Sequence, residues 1–535
     1  MVFVQRAGSP CNTTRKRQQR MPYYYSCLSM LRTAIWWLRV LSLAVGTFFA
    51  VFGFRWFVIF HDDFRQTIEG LPVAALQSPI PQLPLTNVAD PWGTGQRDVA
   101  KVAYILSITN CQPGFAKNLY DAAAVWKHSI QLHSHPRSSK SKYEPHFYAI
   151  VPPSLQNSTC AQILTTSSSS SQSVPKEMDL SMTLLVRDYP ATPSQIREGT
   201  FLQRKIKADG CCGHRELLKL HTYTMTEYDV AVHLDLDTLL VSPLDELLDA
   251  MHYPSTHPVG RAARNHLVDA QLIAPTYRIR SPLVDVPNIA AFYTRDYNML
   301  PKHKEKRAGM QGGFLLVRPN QTVFDELVSL VKDGNYTQGR KARSGWKNSG
   351  FGQHIWGSLT IQGLLGYYYW TPQQNARSIE LHRCKFNQVA DNPRRSTYHQ
   401  TYPRGTPFEH ADVAYHDVEC KDGRDDCDDV QCQIWPIEDT RLVHFTTCKV
   451  PWSCRSLRYN ETWNMIGCRS MYKAWYETRR SLESELRARF GDVVSAHDGG
   501  FEPEHHMGYC SAKGGDGYIP MVSWNGQIQE HGRGH

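Results

Sequence analysis

The segment Tyr228-Asp229-Val230-Ala231-Val232-His233-Leu234-Asp235-Leu236-Asp237-Thr238-Leu239-Leu240 runs an apolar strand straight into two carboxylates, Asp235 and Asp237, spaced i and i+2. In extended backbone such side chains point the same way, so both can face one cation beyond the strand's carboxyl end. Open α/β sheets bind their ligands at that end. A hard divalent ion held there by carboxylates can grip a diphosphate and neutralise the charge that builds on it as a leaving group. Asp-x-Asp alone is also an ordinary solvated strand end. What sets this one apart is the apolar run before it and the buried-looking Leu239-Leu240 after it.

The elements that must position these carboxylates can be read on either side. Val102–Ile108 is a compact apolar run suited to a buried strand, followed by a helical stretch near Phe115–Leu132. His146–Val151 and Met182–Val186 are further short strands, separated by a serine-rich surface insertion over 165–171. Leu217–Tyr228 reads as a helix leading into the strand Val230–Leu234. Strands alternating with helices predict an α/β fold with a doubly wound, mostly parallel sheet. Residues 469–490 read as a charged amphipathic helix, and the Gly- and His-rich tail after them as mobile.

The net charge of +9 is unevenly placed. Residues 1–60 hold eight Lys or Arg and no acid, leaving 51 basic against 50 acidic residues for the rest. A nearly neutral body disfavours nucleic acid as a partner. The same basic segment borders Val40–Phe60, broken only by Arg55, with Ala34–Leu38 just upstream; a helix over 34–60 is long enough to span a bilayer. Its positive N-terminal flank predicts a cytosolic tail (1–33) and a luminal body, the alternative being a buried core helix. Residues 61–98, rich in Pro, read as a stem. The body proper is expected over 99–465, and the helix and tail over 466–535. Of 14 cysteines, Cys420, Cys427, Cys432, Cys448, Cys454 and Cys468 crowd together, which reads as disulfides rather than zinc because no Cys-x-x-Cys spacing occurs among them. Sequons at Asn157, Asn320, Asn335 and Asn460 permit a luminal address.

Beyond these readings, the chain resembles glycosyltransferase family 8, which includes glycogenin. The likeness runs through Glu216-Leu217-Leu218-Lys219-Leu220-His221, Thr226-Glu227-Tyr228, Leu234-Asp235-Leu236-Asp237-Thr238-Leu239 and Pro243-Leu244-Asp245-Glu246-Leu247. It extends more loosely to Ser107–Asn110 with Phe115–Lys117, to Met310–Val317, to Gln362–Leu365, and to Val443–Phe445 with Lys449, Pro451 and Trp452. The resemblance implies a GT-A, Rossmann-like nucleotide-diphospho-sugar transferase fold. It also implies transfer of a hexose or related sugar from a UDP-sugar with retention, and dependence on manganese. Asp235, Asp237 and His444 would hold the metal, a donor set suited to a first-row ion. Lys449 would face the β-phosphate, and Lys219 would help hold the donor. Thr109, Asn110 and Phe115 would line the nucleobase and ribose. Leu236, Gln311, Gly312 and Gly313 would complete the donor site, and Gln362 would support an oxocarbenium-like centre. Acceptors would be a glycan, glycoprotein, glycolipid or polysaccharide, met at a Golgi or endoplasmic reticulum membrane of which the chain is a single-pass type II resident.

Three departures stand out. Ile361 precedes Gln362 where many members carry Asp; Gln311-Gly312-Gly313 replaces Asn-Ser-Gly; and Thr446-Thr447-Cys448 stands where a glycine is usual, with Val450 between Lys449 and Pro451. Two other functions stay open on the sequence. One is a degenerate transferase kept as a sugar-binding or partner-organising module. The other is a haloacid-dehalogenase-like phosphatase, in which Asp235 would be the nucleophile and Asp237 the acid/base.

Overall fold

Side-chain alternation along one strand decides the layering of this chain. In the computed structural model, strand β1 (Ala100–Ser107) sends Val102, Tyr104 and Leu106 into one apolar core and Ala103 and Ile105 into another. Residues 100–135, 142–165, 180–206, 213–276, 282–297, 307–338, 344–351, 357–394, 420–454, 463–490, 518–519 and 521 are described; all belong to one unit, Asp98–His535.

The remaining strands are β2 (Tyr143–Val151), β3 (Thr183–Val186), β4 (Val230–Leu234), β5 (Thr238–Leu240), β6 (Ala291–Tyr293), β7 (Phe314–Val317), β8 (Tyr336–Thr337), β9 (Gly345–Trp346), β10 (Ser378–Glu380) and β11 (Leu442–His444). Seven of them form one sheet in the order β10-β6-β7-β4-β1-β2-β3, while β5 pairs with β11 and β8 with β9 in two small ladders. Neighbours in the large sheet run parallel except at β7, which is antiparallel to β4 and β6. The mostly parallel α/β sheet expected from the sequence is therefore present. Because β7 is reversed, its beginning arrives at the same sheet edge as the ends of β1 and β4.

The helices are α1 (Pro113–His133), α2 (Thr159–Thr165), α3 (Phe201–Lys205), α4 (Asp245–His252), α5 (Pro258–Asp269), α6 (Gln321–Lys332), α7 (Ile361–Tyr368), α8 (Pro372–Asn375) and α9 (Trp463–Phe490). One face of the sheet is covered by α1, through Leu119, Trp126 and Ile130, and by α9, through Tyr472, Trp475 and Tyr476. The other is covered by α6 and α7 and by Leu217, Leu218 and Leu220. Both faces being buried explains why the central strands read as continuous apolar runs.

Two boundaries differ from expectation. The stretch 217–228 is not an α-helix: His214–Thr224 forms a 3-10 helix. Thr222 and Thr224 donate their hydroxyls to the carbonyls three residues earlier, of Lys219 and His221, a local alternative to regular α-helical bonding. The C-terminal helix starts at Trp463 rather than 469. It is fixed to α1 by Arg479, which is fully buried and lies 3.1 Å from Asp121. Tyr518 and Met521, within the tail expected to be mobile, also bond to Asp121.

Disulfides join Cys111–Cys160, Cys384–Cys432, Cys420–Cys427 and Cys448–Cys468. The crowded cysteines thus pair as read, although Cys384, Cys111 and Cys160 lie outside the crowd. The apolar run 34–60, the stem and most of the serine run fall outside the described residues. Among those described, no helix is long and apolar enough to cross a membrane.

Two buried histidines predict the acid limit of the fold. His135 donates Nδ1–H to the Tyr143 carbonyl at 3.2 Å and accepts from the Tyr104 hydroxyl at 3.0 Å. His382 donates to the Asp429 carbonyl at 3.0 Å. Burial pushes each imidazole down to about 4. Above the ordinary histidine pKa both are neutral, folded or not; below it only the unfolded chain takes up the protons. Stability should therefore fall as pH drops from about 6.5 towards 4, each residue adding a slope of up to about 1.4 kcal/mol per pH unit. Urea titrations across that range should show it, and His135→Gln should flatten part of the slope.

Candidate functional site

The sheet edge where β1 and β4 end and β7 begins opens into a cavity of about 730 Å³. After Leu234 the chain turns sharply: Thr238 N–H and its hydroxyl both donate to the Asp235 carbonyl, at 3.0 and 2.7 Å. Asp235 N–H donates to the Gly313 carbonyl at 3.0 Å, tying that turn to the start of β7. The chain then enters β5, which pairs with β11 so that His444 lies opposite Thr238. Phe445 N–H donates to the Asp237 carbonyl at 2.9 Å, extending the ladder. Two backbone ladders thereby place Asp235, Asp237 and His444 with donor atoms within 4.8 Å of one another.

The imidazole is oriented by its far nitrogen. His444 Nδ1 donates to Asn387 Oδ1 at 2.9 Å, and Asn387 donates to the Thr294 hydroxyl at 3.1 Å. That leaves Nε2 facing Asp237, 3.3 Å away. Burial opposes charging either group. The His444–Asp237 attraction outweighs it, holding the carboxyl below its ordinary value and the imidazole above its own. Asn387 sits at φ +61°, a left-handed conformation that Asn tolerates better than most residues. Two carboxylate oxygens and an imidazole nitrogen freed by an outer hydrogen bond fit a divalent first-row cation.

Lys219 approaches from the 3-10 helix on the opposite face. Its ammonium lies 2.8 Å from each oxygen of Asp235 and donates to the Gly312 carbonyl at 3.2 Å. Burial would push its pKa down, but Asp235 and Glu216 outweigh that and hold it above the lysine norm. Behind Asp235, His233 is fully buried and bonded through Nε2 to the Ser107 hydroxyl at 2.7 Å. Burial takes its pKa down to about 3, so it is neutral.

Most of the candidate residues meet here. Thr109, Asn110, Phe115, Lys219, Asp235, Leu236, Asp237, Gln311, Gly312, Gly313, Gln362 and His444 all line the cavity. Lys449 does not. It is exposed, at φ +68°, and its carbonyl accepts from the Tyr472 hydroxyl at 3.0 Å. Gln311 shapes its own loop, accepting from Gly313 N–H at 2.7 Å. Gln362, the second residue of α7, has its amide oxygen buried in the cavity wall without a hydrogen-bond partner. Ile361 is fully buried in the core with Leu364 and Leu365; it contributes nothing to the cavity.

Glu216, Ser107, Thr446 and Trp452, quoted in the motifs without a role, and Asp296, not noted at all, also line the cavity; Asn387 acts on His444 from behind. His233 also carried a legible signal, as an ionisable residue inside an otherwise apolar strand. The acidic run Asp422–Asp429, which a phosphatase would need nearby, is instead engaged by Arg394 and Arg424. None of its residues lines the cavity.

No family model and no curated protein matches the chain. Solved structures with some likeness include the bifunctional glycosyltransferase WbbM (TM-score 0.33, 11% identity, 72% of this chain). This chain spans about half of it, 52%. The galactosyltransferase LgtC, solved with donor and acceptor sugar analogues, shares 11% identity at a TM-score of 0.34, over 72% of this chain and 100% of that one. Mouse xyloside xylosyltransferase 1 shares 10% at 0.29, over 54% and 88%. Likeness at this level leaves function to be argued from the site itself.

The two glycines beside the site separate packing from chemistry. A Cβ on Gly313 would lie 2.2 Å from His444 Cε1, whereas one on Gly312 comes no nearer than 3.4 Å to any neighbour. Gly313→Ala should cost about 1–3 kcal/mol through overpacking, and Gly312→Ala well under that. Chemical denaturation of the two variants, measured side by side, checks the difference.

Proposed function

We propose that the chain is a metal-dependent glycosyltransferase that moves a hexose or related sugar from a UDP-sugar to an acceptor hydroxyl, retaining the anomeric configuration. The observation that carries this reading is the convergence of Asp235, Asp237 and His444 on one point of a large cavity. A divalent cation such as manganese, held by those three, would bind the pyrophosphate oxygens and offset the charge they gain.

The protein's own groups account for the remainder. Lys219, buried and charged, adds a fixed positive centre beside the departing nucleotide. Thr109 and Asn110, just after β1, and Phe115, in the first turn of α1, offer polar and aromatic contacts to a nucleoside. Gln362 lines the cavity, and its buried amide oxygen has no partner and lies beside Gly357; turned into the cavity, that acceptor would suit a sugar hydroxyl or positive charge developing at the anomeric carbon. Gln is a poor nucleophile, which favours attack from the same face the nucleotide leaves. The anomeric C–O bond to phosphate breaks with its electron pair on the phosphate oxygen. The acceptor oxygen then bonds to that carbon, and its proton passes to the released phosphate.

The apolar run at 34–60 and the disulfides support a luminal body on a type II anchor in the Golgi or endoplasmic reticulum. Acceptors there are glycans, glycoproteins, glycolipids or polysaccharides. Titration calorimetry of the purified protein should show UDP binding that requires manganese, and Asp237→Ala should lower turnover at least about a hundredfold, or about 2.7 kcal/mol. Indifference to UDP with manganese, or a fully active Asp237→Ala protein, would refute the assignment; UDP binding without sugar transfer would point to a degenerate, binding-only protein.

A further inference from the structure

The cavity wall that follows β11 is irregular backbone, yet it is braced by several contacts to α9. Residues 445–454 supply Thr446, Val450 and Trp452 to the cavity. Apart from a single 3-10 turn, Pro451–Ser453, they form no regular structure. Two non-glycine residues there, Lys449 and Cys454, are at φ +68° and +49°. Left-handed residues are disfavoured unless their surroundings hold them. What holds them is α9. The Tyr472 hydroxyl is shared between the carbonyls of Cys448 and Lys449. The Tyr476 hydroxyl donates to the Pro451 carbonyl at 3.1 Å. Cys448 is joined covalently to Cys468. Phe445 stacks on Tyr472 with ring centroids 5.7 Å apart, and Trp452 meets Trp475 at 6.0 Å.

These attachments fall at each turn of one helix face, and Tyr472 and Tyr476 are fully buried. α9 is itself anchored to α1 through Arg479 and Asp121, and α1 leads directly from the cavity residues Thr109, Asn110 and Phe115. One rigid path therefore runs from one wall of the cavity, through α1 and α9, to the other.

We propose that α9 is a positioning element for the donor, with Tyr472 as its principal positioning residue, setting the Thr446–Trp452 wall in its nucleotide-binding position before the donor arrives. This rests on the reading of the cavity as a UDP-sugar site. A preformed wall spares the ordering entropy that a loose loop would lose on binding. Loosening it should weaken donor binding while the chemistry, carried by residues on other elements, proceeds at its usual rate.

Tyr472→Phe keeps the ring and its stacking but removes the hydroxyl. In the purified protein with manganese, its KM for the UDP-sugar should rise about three- to tenfold, the worth of a net hydrogen bond, with kcat within twofold of the parent. A second variant, Cys448→Ser with Cys468→Ser, should move KM the same way, and its melting curve shows whether it is folded. UDP affinity by calorimetry should fall in parallel with KM. A lowered melting temperature with unchanged KM and UDP affinity in Tyr472→Phe would reduce α9 to structural support and overturn the proposal. A parent that binds no UDP would instead remove the functional reading on which it stands.

Discussion

Two carboxylates forced together at the end of a strand repel, and the architecture around Asp235 and Asp237 exists to offset that repulsion. Like charges a few ångströms apart in a partly buried site cannot both stay ionised without compensation. Here each acid has its own partner from a different layer. Lys219 reaches Asp235 from beneath one face of the sheet, and His444 reaches Asp237 through a two-stranded ladder beside the sheet. The pair is half-buried in the cavity wall and open to a further positive charge. Among the described lining residues, Glu216, Asp296, Asp235 and Asp237 outnumber Lys219, so the cavity as a whole attracts cations. A bare nucleotide diphosphate would meet net repulsion, and a cation arriving with it resolves the conflict.

The sheet topology is what lets so few residues accomplish this. Parallel β1 and β4 lie side by side, so their ends deliver Ser107–Asn110 and Asp235–Asp237 to a common edge. Reversed β7 brings its leading residues, Gln311–Gly313, back to that edge. The first turn of α7 adds Gln362, whose backbone carbonyl accepts from Met310 N–H at 3.0 Å. Glycines at 309 and 313 are close-approach positions: a side chain on the first would strike the Gln362 backbone, and on the second the His444 ring.

Much of this was legible because the signals were local. An apolar run ending in Asp-x-Asp declares a strand end and two neighbouring acids together; the structure bears out the strand, but a turn after Leu234, rather than extended backbone, brings the acids together. Crowded cysteines declared disulfides. What escaped reading depends on contacts distant in sequence. Asn387 looks like any loop asparagine until β11 lies beside it. Lys449 matched a motif by spacing, yet the inserted Val450 and the pull of Tyr472 turn it outward. The 214–224 stretch has helical patterning, but its threonine hydroxyls capture nearby carbonyls and tighten it. Ile361 is the informative departure: its branched aliphatic side chain fills the core and leaves the cavity to Gln362.

The β5–β11 ladder has a bearing on how the molecule matures. Thr238 and His444 are partners across roughly two hundred residues, a long closure of the kind that forms late. A nascent chain can pair β1, β2 and β4 and bury much of its sheet while His444 is still unsynthesised. Binding competence would then switch on only when the final strand docks and the Cys448–Cys468 link closes behind it. Synthesis order itself thus leaves the cluster of Asp235, Asp237 and His444 incomplete until assembly is finished.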